Sequence, residues 1–220
     1  SSQTYMDRMI KWLDISLEEG VRFFVTSLGN PRWVVDRVST AGGKVYHDIT
    51  ERKWAEKAIQ GGVHGLICVN SRAGGHAGGK TPQQLVDECG DLGLPLVCAG
   101  GIGDAPDFVA ALKMGYAGVQ MGTRFIATTE CSSREDYKQA IVDAMEEDIA
   151  LTERVTGVPI AVIRTPYVER IGTTIGPISR MLFKGRKTKH WMRMFYALRS
   201  LRQMKRDSVT GRGTGEYWQA

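Results

Sequence analysis

The stretch LPLVCAGGIGDAPDFVAALKM, residues 94–114, contains a complete strand–turn–helix unit. The apolar run at residues 94–99 predicts a buried strand, and glycines follow it directly. Asp104 is a residue type that caps a helix start, and the apolar spacing after it predicts a helix over residues 105–114. The order of strand, glycine turn and helix is typical of α/β proteins.

Similar units surround this one along the chain. Short, nearly continuous apolar runs predict further strands at residues 21–27, 44–49, 64–69 and 117–121, with helices between them. Strands of this kind are typical of a parallel sheet covered on both faces, and repeated strand–helix units imply right-handed βαβ crossovers. An open doubly wound sheet and a closed barrel share this pattern, so the pattern alone leaves both open.

The pattern changes after Phe125. One helix is predicted over residues 133–149, and residues 152–173, rich in β-branched residues and with two prolines, predict an irregular lid or insertion. The chain is therefore expected to contain three parts: βα units at residues 1–130, a helical and lid-like substrate segment at 131–175, and a basic C-terminal helix and tail at 176–220.

The composition is that of an ordinary globular protein. The 220 residues are 42% hydrophobic and 24% charged. No apolar run reaches the roughly 18 residues that a transmembrane helix needs. The four cysteines include no C-x-x-C pair, which argues against a zinc site and a disulfide framework, and residues 1–8 lack a signal-peptide core. We therefore expect a protein of the reducing cytoplasm.

The net charge of +5 is concentrated in the C-terminal segment, at residues 180–206. Apolar residues recur there at helical spacing: Trp191, Phe195, Leu198 and Leu201. This predicts a helix over about residues 187–206 that packs its apolar side on the protein and leaves its charges solvated. Contact with a membrane surface or an anionic partner is the alternative. No motif indicates nucleic-acid binding.

Two glycine turns follow neighbouring predicted strands. The first is AGGIGD, residues 99–104, and the second is MGTRF, residues 121–125, which comes directly after Gln120. Glycine lets the backbone approach a ligand, and N–H groups at a helix start attract anions. One such turn is common between a strand and a helix. In (β/α)8 barrels, however, the loops after the last two strands form a phosphate site, so the pair predicts that both turns bind one phosphate.

A third glycine-rich segment, NSRAGGHAGG at residues 70–79, contains His76. A histidine is a natural base at neutral pH, because its ordinary pKa is about 6.5; the alternative is a loop histidine that bonds backbone groups. Asp48 ends the second predicted strand, and a carboxylate at that end points toward a barrel active site. The remaining histidines are expected to be structural or solvated: His47, His64 and His190.

These motifs resemble those of the nitronate monooxygenase (2-nitropropane dioxygenase) family. AGGHAGG, AGGIGD and MGTRF occur in this order and spacing in the family and in the closely related flavin-dependent enoyl-ACP reductases. The run DIALTERVTGVPIAVIRTP, residues 148–166, resembles the substrate-side segment of one nitronate monooxygenase-like branch. The resemblance covers roughly residues 20–175.

The resemblance implies a TIM-type (β/α)8 barrel with FMN at its carboxyl-end face. It implies that the FMN phosphate lies against both glycine turns, that two glycines pack beside the flavin, and that His76 is the catalytic base. The cofactor-binding residues expected on this basis are Asp48, Gly74, Gly75, Ala99, Gly100, Gly101, Gln120, Met121, Gly122 and Thr123. Some family members carry a basic or amide side chain where Asp48 stands, so an acid there predicts altered flavin reactivity.

The implied reaction is the oxidation of nitronates or nitroalkanes by O2 to carbonyl compounds and nitrite. One alternative is an NAD(P)H-dependent FMN reductase of enoyl thioesters or quinones, and another is a catalytically inactive fragment. Residues 156–166 favour the first reading. A homo-oligomer is also compatible with the sequence.

The resemblance is incomplete at its beginning. The family starts with a strand containing glycine and methionine, and an asparagine further on, which contact the flavin; neither is found in this chain. Only about the last five of the eight expected βα units are present. We therefore expect an incomplete barrel with open edges: either the sequence is a fragment, or another chain or a different closure supplies the missing part. We also expect weak or absent FMN binding by residues 1–220 alone.

Overall fold

The computed structural model describes residues 2–154 and 160–174. This part of the chain forms two compact units. The first contains residues 2–71 and 78–120, and the second contains residues 72–77, 121–154 and 160–174.

Helices and strands alternate along most of the chain. In chain order they are α1 (Ser2–Glu18), β1 (Phe23–Thr26), α2 (Arg32–Thr40), β2 (Lys44–Ile49), α3 (Arg52–Gln60), β3 (Gly65–Val69), β4 (Gly75–His76), α4 (Pro82–Cys89), β5 (Leu96–Ala99), α5 (Ala105–Met114), β6 (Gly118–Gln120), α6 (Thr123–Ile126), α7 (Glu135–Asp143), β7 (Ile149–Thr152), β8 (Ile160–Ile163) and α8 (Pro166–Ile171). Short 3-10 turns lie at Gly90–Leu92 and Glu146–Asp148.

The first unit is built on a five-stranded parallel sheet in the order β1-β2-β3-β5-β6. Each strand pairs with the next parallel strand along the chain, and helices connect them, which is the arrangement of one half of a (β/α)8 barrel. The five strands expected from the sequence are confirmed. Among the described residues, the edge strands of this sheet are β1 and β6, and Phe23 and Val25 on β1 are about half exposed (55% and 50%). This agrees with the expected open edge.

The core of the first unit lies between the sheet and its helices. Alternate residues of the strands, such as Val45 and Ile49 on β2 and Leu66 and Cys68 on β3, are buried in one cluster with side chains from the helices. Burial raises the pKa of the Cys68 thiol to about 12, so this cysteine is a small core residue, as the sequence predicted.

The second unit contains a three-stranded antiparallel sheet in the order β4-β8-β7. The sequence prediction was wrong in two places here. The predicted helix over residues 133–149 ends at Asp143, because Ala144 turns to an extended conformation (ψ 131°) and Ile149 pairs with Ile163. The predicted irregular segment contains β8, whose four residues are buried, and α8.

Within the described residues, no helix is long and apolar enough to cross a membrane. The basic helix expected at residues 187–206, with the rest of the basic tail at 176–220, lies outside the described residues. Residues 155–159 of the expected lid also lie outside them.

Candidate functional site

Five of the residues that the sequence singled out lie together in the first unit, at the carboxyl-end edge of the parallel sheet. Neighbouring parallel strands end at the same edge of a sheet, so this edge contains the last residues of β2, β3, β5 and β6. The register pairs Val69 with Ala99 and Ala99 with Gln120. The five residues are Asp48, Ala99, Gly100, Gly101 and Gln120.

The turn between β5 and α5 depends on glycine. Gly100 has φ 119° and Gly101 has φ 73°, a region that residues with a Cβ rarely adopt. Within the part of the chain that the structure describes, the N–H of Gly101 forms no hydrogen bond. A donor is therefore available at the carboxyl end of β5, where α/β proteins bind ligands.

The start of α5 itself is occupied by the protein's own carboxylates. Asp104 caps the helix as predicted, because its Oδ1 accepts a hydrogen bond from the backbone N–H of Asp107 (2.9 Å). The Asp107 carboxylate in turn accepts from the N–H of Gly103 (2.9 Å). The expectation that this helix start offers free N–H groups is therefore wrong at Gly103 and Asp107, and any anion site here belongs to the preceding glycine turn.

Asn70 is a residue of this edge to which the sequence reasoning gave no role. It follows β3 directly, is fully buried, and donates from Nδ2 to the carbonyl oxygen of Gly100 (2.9 Å). Its backbone N–H donates to the carbonyl of Ala99 (3.0 Å). The signal in the sequence was an amide side chain at the end of an apolar strand, since such a group must find a hydrogen-bond partner when it is buried.

Asp48 lies one residue before the end of β2, on the strand face opposite to Ile49. Burial raises the pKa of its carboxyl group, and a hydrogen bond with Ser27 offsets this in part. Its Oδ1 is buried and has no hydrogen-bond partner among the described residues. A carboxyl group in this environment is a candidate for a functional role.

His47 and His64 have structural contacts in the same unit. His47 is buried, and its Nδ1 lies 2.8 Å from the hydroxyl of Thr26 on the neighbouring strand. Burial lowers the pKa of His47. Nδ1 of His64 accepts a hydrogen bond from the N–H of Val45 (3.1 Å). Both contacts agree with the expectation that these histidines are structural.

Residues 72–77 belong to the second unit, and the two chain segments that flank them, residues 70–71 and 78–80, are hydrogen-bonded to each other after β3. We call these paired segments the neck. The N–H of Gly78 donates to the carbonyl of Asn70 (3.1 Å), and the N–H of Ser71 donates to the carbonyl of Lys80 (2.8 Å). A Cβ on Gly78 would lie 2.3 Å from the carbonyl oxygen of Val69, which is closer than atoms can approach. Only glycine therefore fits this neck without a local shift.

The second unit contains His76, which the sequence placed on a loop. It lies instead in the two-residue strand β4, where it pairs with Ile160, while Gly75 (φ 70°) pairs with Ala161. The imidazole is exposed and has no hydrogen-bond partner among the described residues. The alternative of a ring bonded to backbone groups therefore finds no support in the described part of the chain. Gly74, also expected at the cofactor, directly precedes this strand.

The second glycine turn, Met121–Gly122–Thr123, also belongs to the second unit and follows β6 directly. Thr123 begins the short helix α6, with Gly122 before it. The N–H of Thr123 has no hydrogen-bond partner within residues 2–154 and 160–174. In each of the two turns a backbone donor is thus left without a bond to the described protein.

Comparison with known proteins identifies relatives over most of the chain. The sequence profile described as nitronate monooxygenase matches residues 2–201. A (3aS,4S,5R,7aS)-5-hydroxy-7a-methyl-1-oxo-octahydro-1H-indene-4-carboxyl-CoA dehydrogenase from Mycobacterium tuberculosis is 30% identical over 206 residues, which cover 91% of this chain and 57% of that protein. A probable nitronate monooxygenase from Staphylococcus saprophyticus is 30% identical over 172 residues, which cover 72% of this chain and 48% of that protein.

A solved structure shares the fold. FabK from Thermotoga maritima superimposes with a TM-score of 0.65 and 32% sequence identity, over 72% of this chain and 51% of that chain. This chain spans about half the length of the curated relatives that it matches.

Proposed function

This chain belongs to the nitronate monooxygenase family, and from this premise we propose that the protein is an FMN-dependent oxidoreductase of nitronates or nitroalkanes. The products are a carbonyl compound and nitrite, and O2 is the oxidant. The observation that carries the proposal is the family match over residues 2–201, together with the unbonded N–H of Gly101 in a glycine turn after a parallel strand.

The residues at the carboxyl-end edge fit a flavin mononucleotide. Gly101 offers a backbone donor for a phosphate oxygen, and neither Gly100 nor Gly101 has a Cβ that would obstruct the approach of the phosphate. Gly122 and Thr123 are proposed to donate to phosphate oxygens as well. When bound, FMN supplies the electron-transfer chemistry, while the protein supplies binding and orientation.

His76 is proposed to remove the α-proton of a nitroalkane. Its ring is exposed and free of hydrogen bonds among the described residues, so a nitrogen is available to take the proton. Gly74 and Gly75 are proposed to let the backbone lie against the flavin. Asp48 is proposed to face the cofactor, where an acidic side chain would not favour negative charge on a reduced flavin.

A second candidate function is a dehydrogenase or reductase of a thioester. It is favoured by the relative from Mycobacterium tuberculosis, which matches 91% of this chain and is named for a CoA thioester substrate. The same phosphate-binding turns would serve this reaction, with a nicotinamide nucleotide as the other reactant.

Anaerobic mixing experiments with the native protein, purified from cells, discriminate between the two functions. Bleaching of the visible flavin bands by propane-2-nitronate, with nitrite released on admission of O2, supports the first function. Bleaching by NADPH, reversed by an enoyl thioester, supports the second. A native protein without bound flavin, and with no affinity for added FMN, contradicts both and favours the inactive reading.

A further inference from the structure

We propose that Asn70 is a positioning residue that aims the N–H of Gly101 at a phosphate monoester. The inference rests on the proposed function, because the phosphate monoester is that of FMN. Asn70 acts through the intervening Gly100–Gly101 peptide and does not itself contact the ligand.

The argument begins with the burial and bonding of the Asn70 side chain. The residue is fully buried, and Nδ2 donates to the Gly100 carbonyl at 2.9 Å and lies 3.5 Å from the Cys98 sulfur. The backbone N–H of Asn70 also donates a hydrogen bond to the carbonyl of Ala99. An amide enclosed by such contacts has few other orientations, so it acts as a rigid support on the inner side of the turn.

The geometry of the peptide unit carries this constraint to Gly101. The Gly100–Gly101 bond is trans, because the described chain contains no cis peptide. In a trans peptide the C=O and N–H point in opposite directions across a rigid plane. Since Asn70 binds the oxygen of Gly100, the N–H of Gly101 points away from Asn70, and it meets no acceptor in the described protein.

The hydrogen bond from Asn70 matters because, without it, the peptide plane between Gly100 and Gly101 would be free to rotate. Gly100 and Gly101 both have positive φ, and two successive glycines give the peptide between them many accessible orientations. Without Asn70, the phosphate would have to order this peptide on binding, which weakens affinity for the phosphate but not for the rest of the flavin.

The test compares FMN with riboflavin, which lacks the phosphate, in native protein carrying Asn70→Ala or Asn70→Asp. The measurement is the ratio of the two dissociation constants by flavin fluorescence. Both ligands bind only the folded protein, so partial unfolding of a variant cancels in this ratio. We expect the preference for FMN over riboflavin to fall on the order of tenfold. This is about the effect of one hydrogen bond, here the bond from the N–H of Gly101 to the phosphate, which Asn70 no longer orients.

Tyr116→Phe is the matched control. It also removes a hydrogen bond from a buried side chain to a backbone carbonyl, that of Pro82 at 2.8 Å, but it leaves the carbonyl of Gly100 bonded to Asn70. It should lower stability and leave the FMN-to-riboflavin ratio unchanged. An unchanged ratio in both Asn70 variants, with a wild type that prefers FMN, overturns the role of Asn70. A wild type that binds no flavin refutes the proposed function as well.

Discussion

The two sheets of this protein are assembled in different ways. In the first unit, each parallel strand pairs with a strand from the adjacent βα unit, and Asn70 at the carboxyl end of β3 is buried and bonded to Gly100. In the second unit, the two-residue strand β4 pairs with β8, which is remote in sequence, and its histidine is exposed.

This difference suggests a division of roles. A rigid, locally connected sheet holds a backbone donor in a defined direction, as cofactor binding requires. An exposed imidazole on a short strand has no such constraint but is accessible for proton transfer. Substitutions in the first unit should therefore change stability and cofactor affinity, whereas substitution of His76 should change turnover.

The sharpest test of this division, with the largest expected effect, is His76→Ala. Turnover of a neutral nitroalkane should fall about 100-fold or more, because loss of a general base costs rates of this order, while turnover of the preformed nitronate changes much less. Steady-state kinetics with both substrates measures the effect. His64→Gln in the first unit is the control and should leave both rates unchanged. An equal loss on both substrates would argue against proton abstraction by His76.

The second test introduces a steric clash into the neck, the hydrogen-bonded segments that flank residues 72–77. Gly78→Ala places a Cβ against the carbonyl of Val69 and should lower the free energy of unfolding by about 1–3 kcal/mol, as overpacking typically does. Gly79→Ala is the matched control, since its Cβ meets nothing within 4 Å. Urea denaturation measures both. Equal stabilities of the two variants would show that the neck relaxes without strain.

The third test concerns the buried His47 of the parallel sheet. Because burial lowers its folded-state pKa below the ordinary value of 6.5, the unfolded chain binds the proton more readily. Its contribution to stability is therefore present above pH 6.5 and is lost as the pH falls through the lowered pKa. His47→Gln should remove this part of the pH dependence. Thr26→Val should lower stability by about 1 kcal/mol and retain the dependence, since burial is its cause.

The smallest expected effect is that of Asp48→Asn. Burial raises the folded-state pKa of Asp48 above 3.8, so the carboxylate destabilises the folded protein at neutral pH. The variant should be more stable than wild type at pH 7, with the gain shrinking as the pH falls toward 3.8. Asp91→Asn is a control of opposite sign, because Arg52 lowers the pKa of Asp91. Thermal unfolding across this pH range measures both; a neutral-pH loss in Asp48→Asn would contradict the prediction.

Much of the first unit could be predicted from the sequence because its signals are local. An apolar run of four to six residues, a glycine turn and a capping residue such as Asp104 specify a strand and the following helix within a short window. The glycine motifs at residues 73–79, 99–104 and 121–125 likewise indicated the family, which the profile match confirms. The antiparallel sheet was missed because its partners are remote in sequence and β8 has no polar alternation.

The sequence by itself determined five parallel strands, their connecting helices and the residues that end those strands, because each depends on hydrophobic periodicity and turn chemistry within about 25 residues. Only the tertiary structure decided which backbone donors remain available: Asp107 binds the N–H of Gly103, and Asn70 binds the carbonyl of Gly100 and leaves the N–H of Gly101 unbonded. The physical reason is that a hydrogen bond depends on distance and direction in space, and these arise only when remote segments pack together.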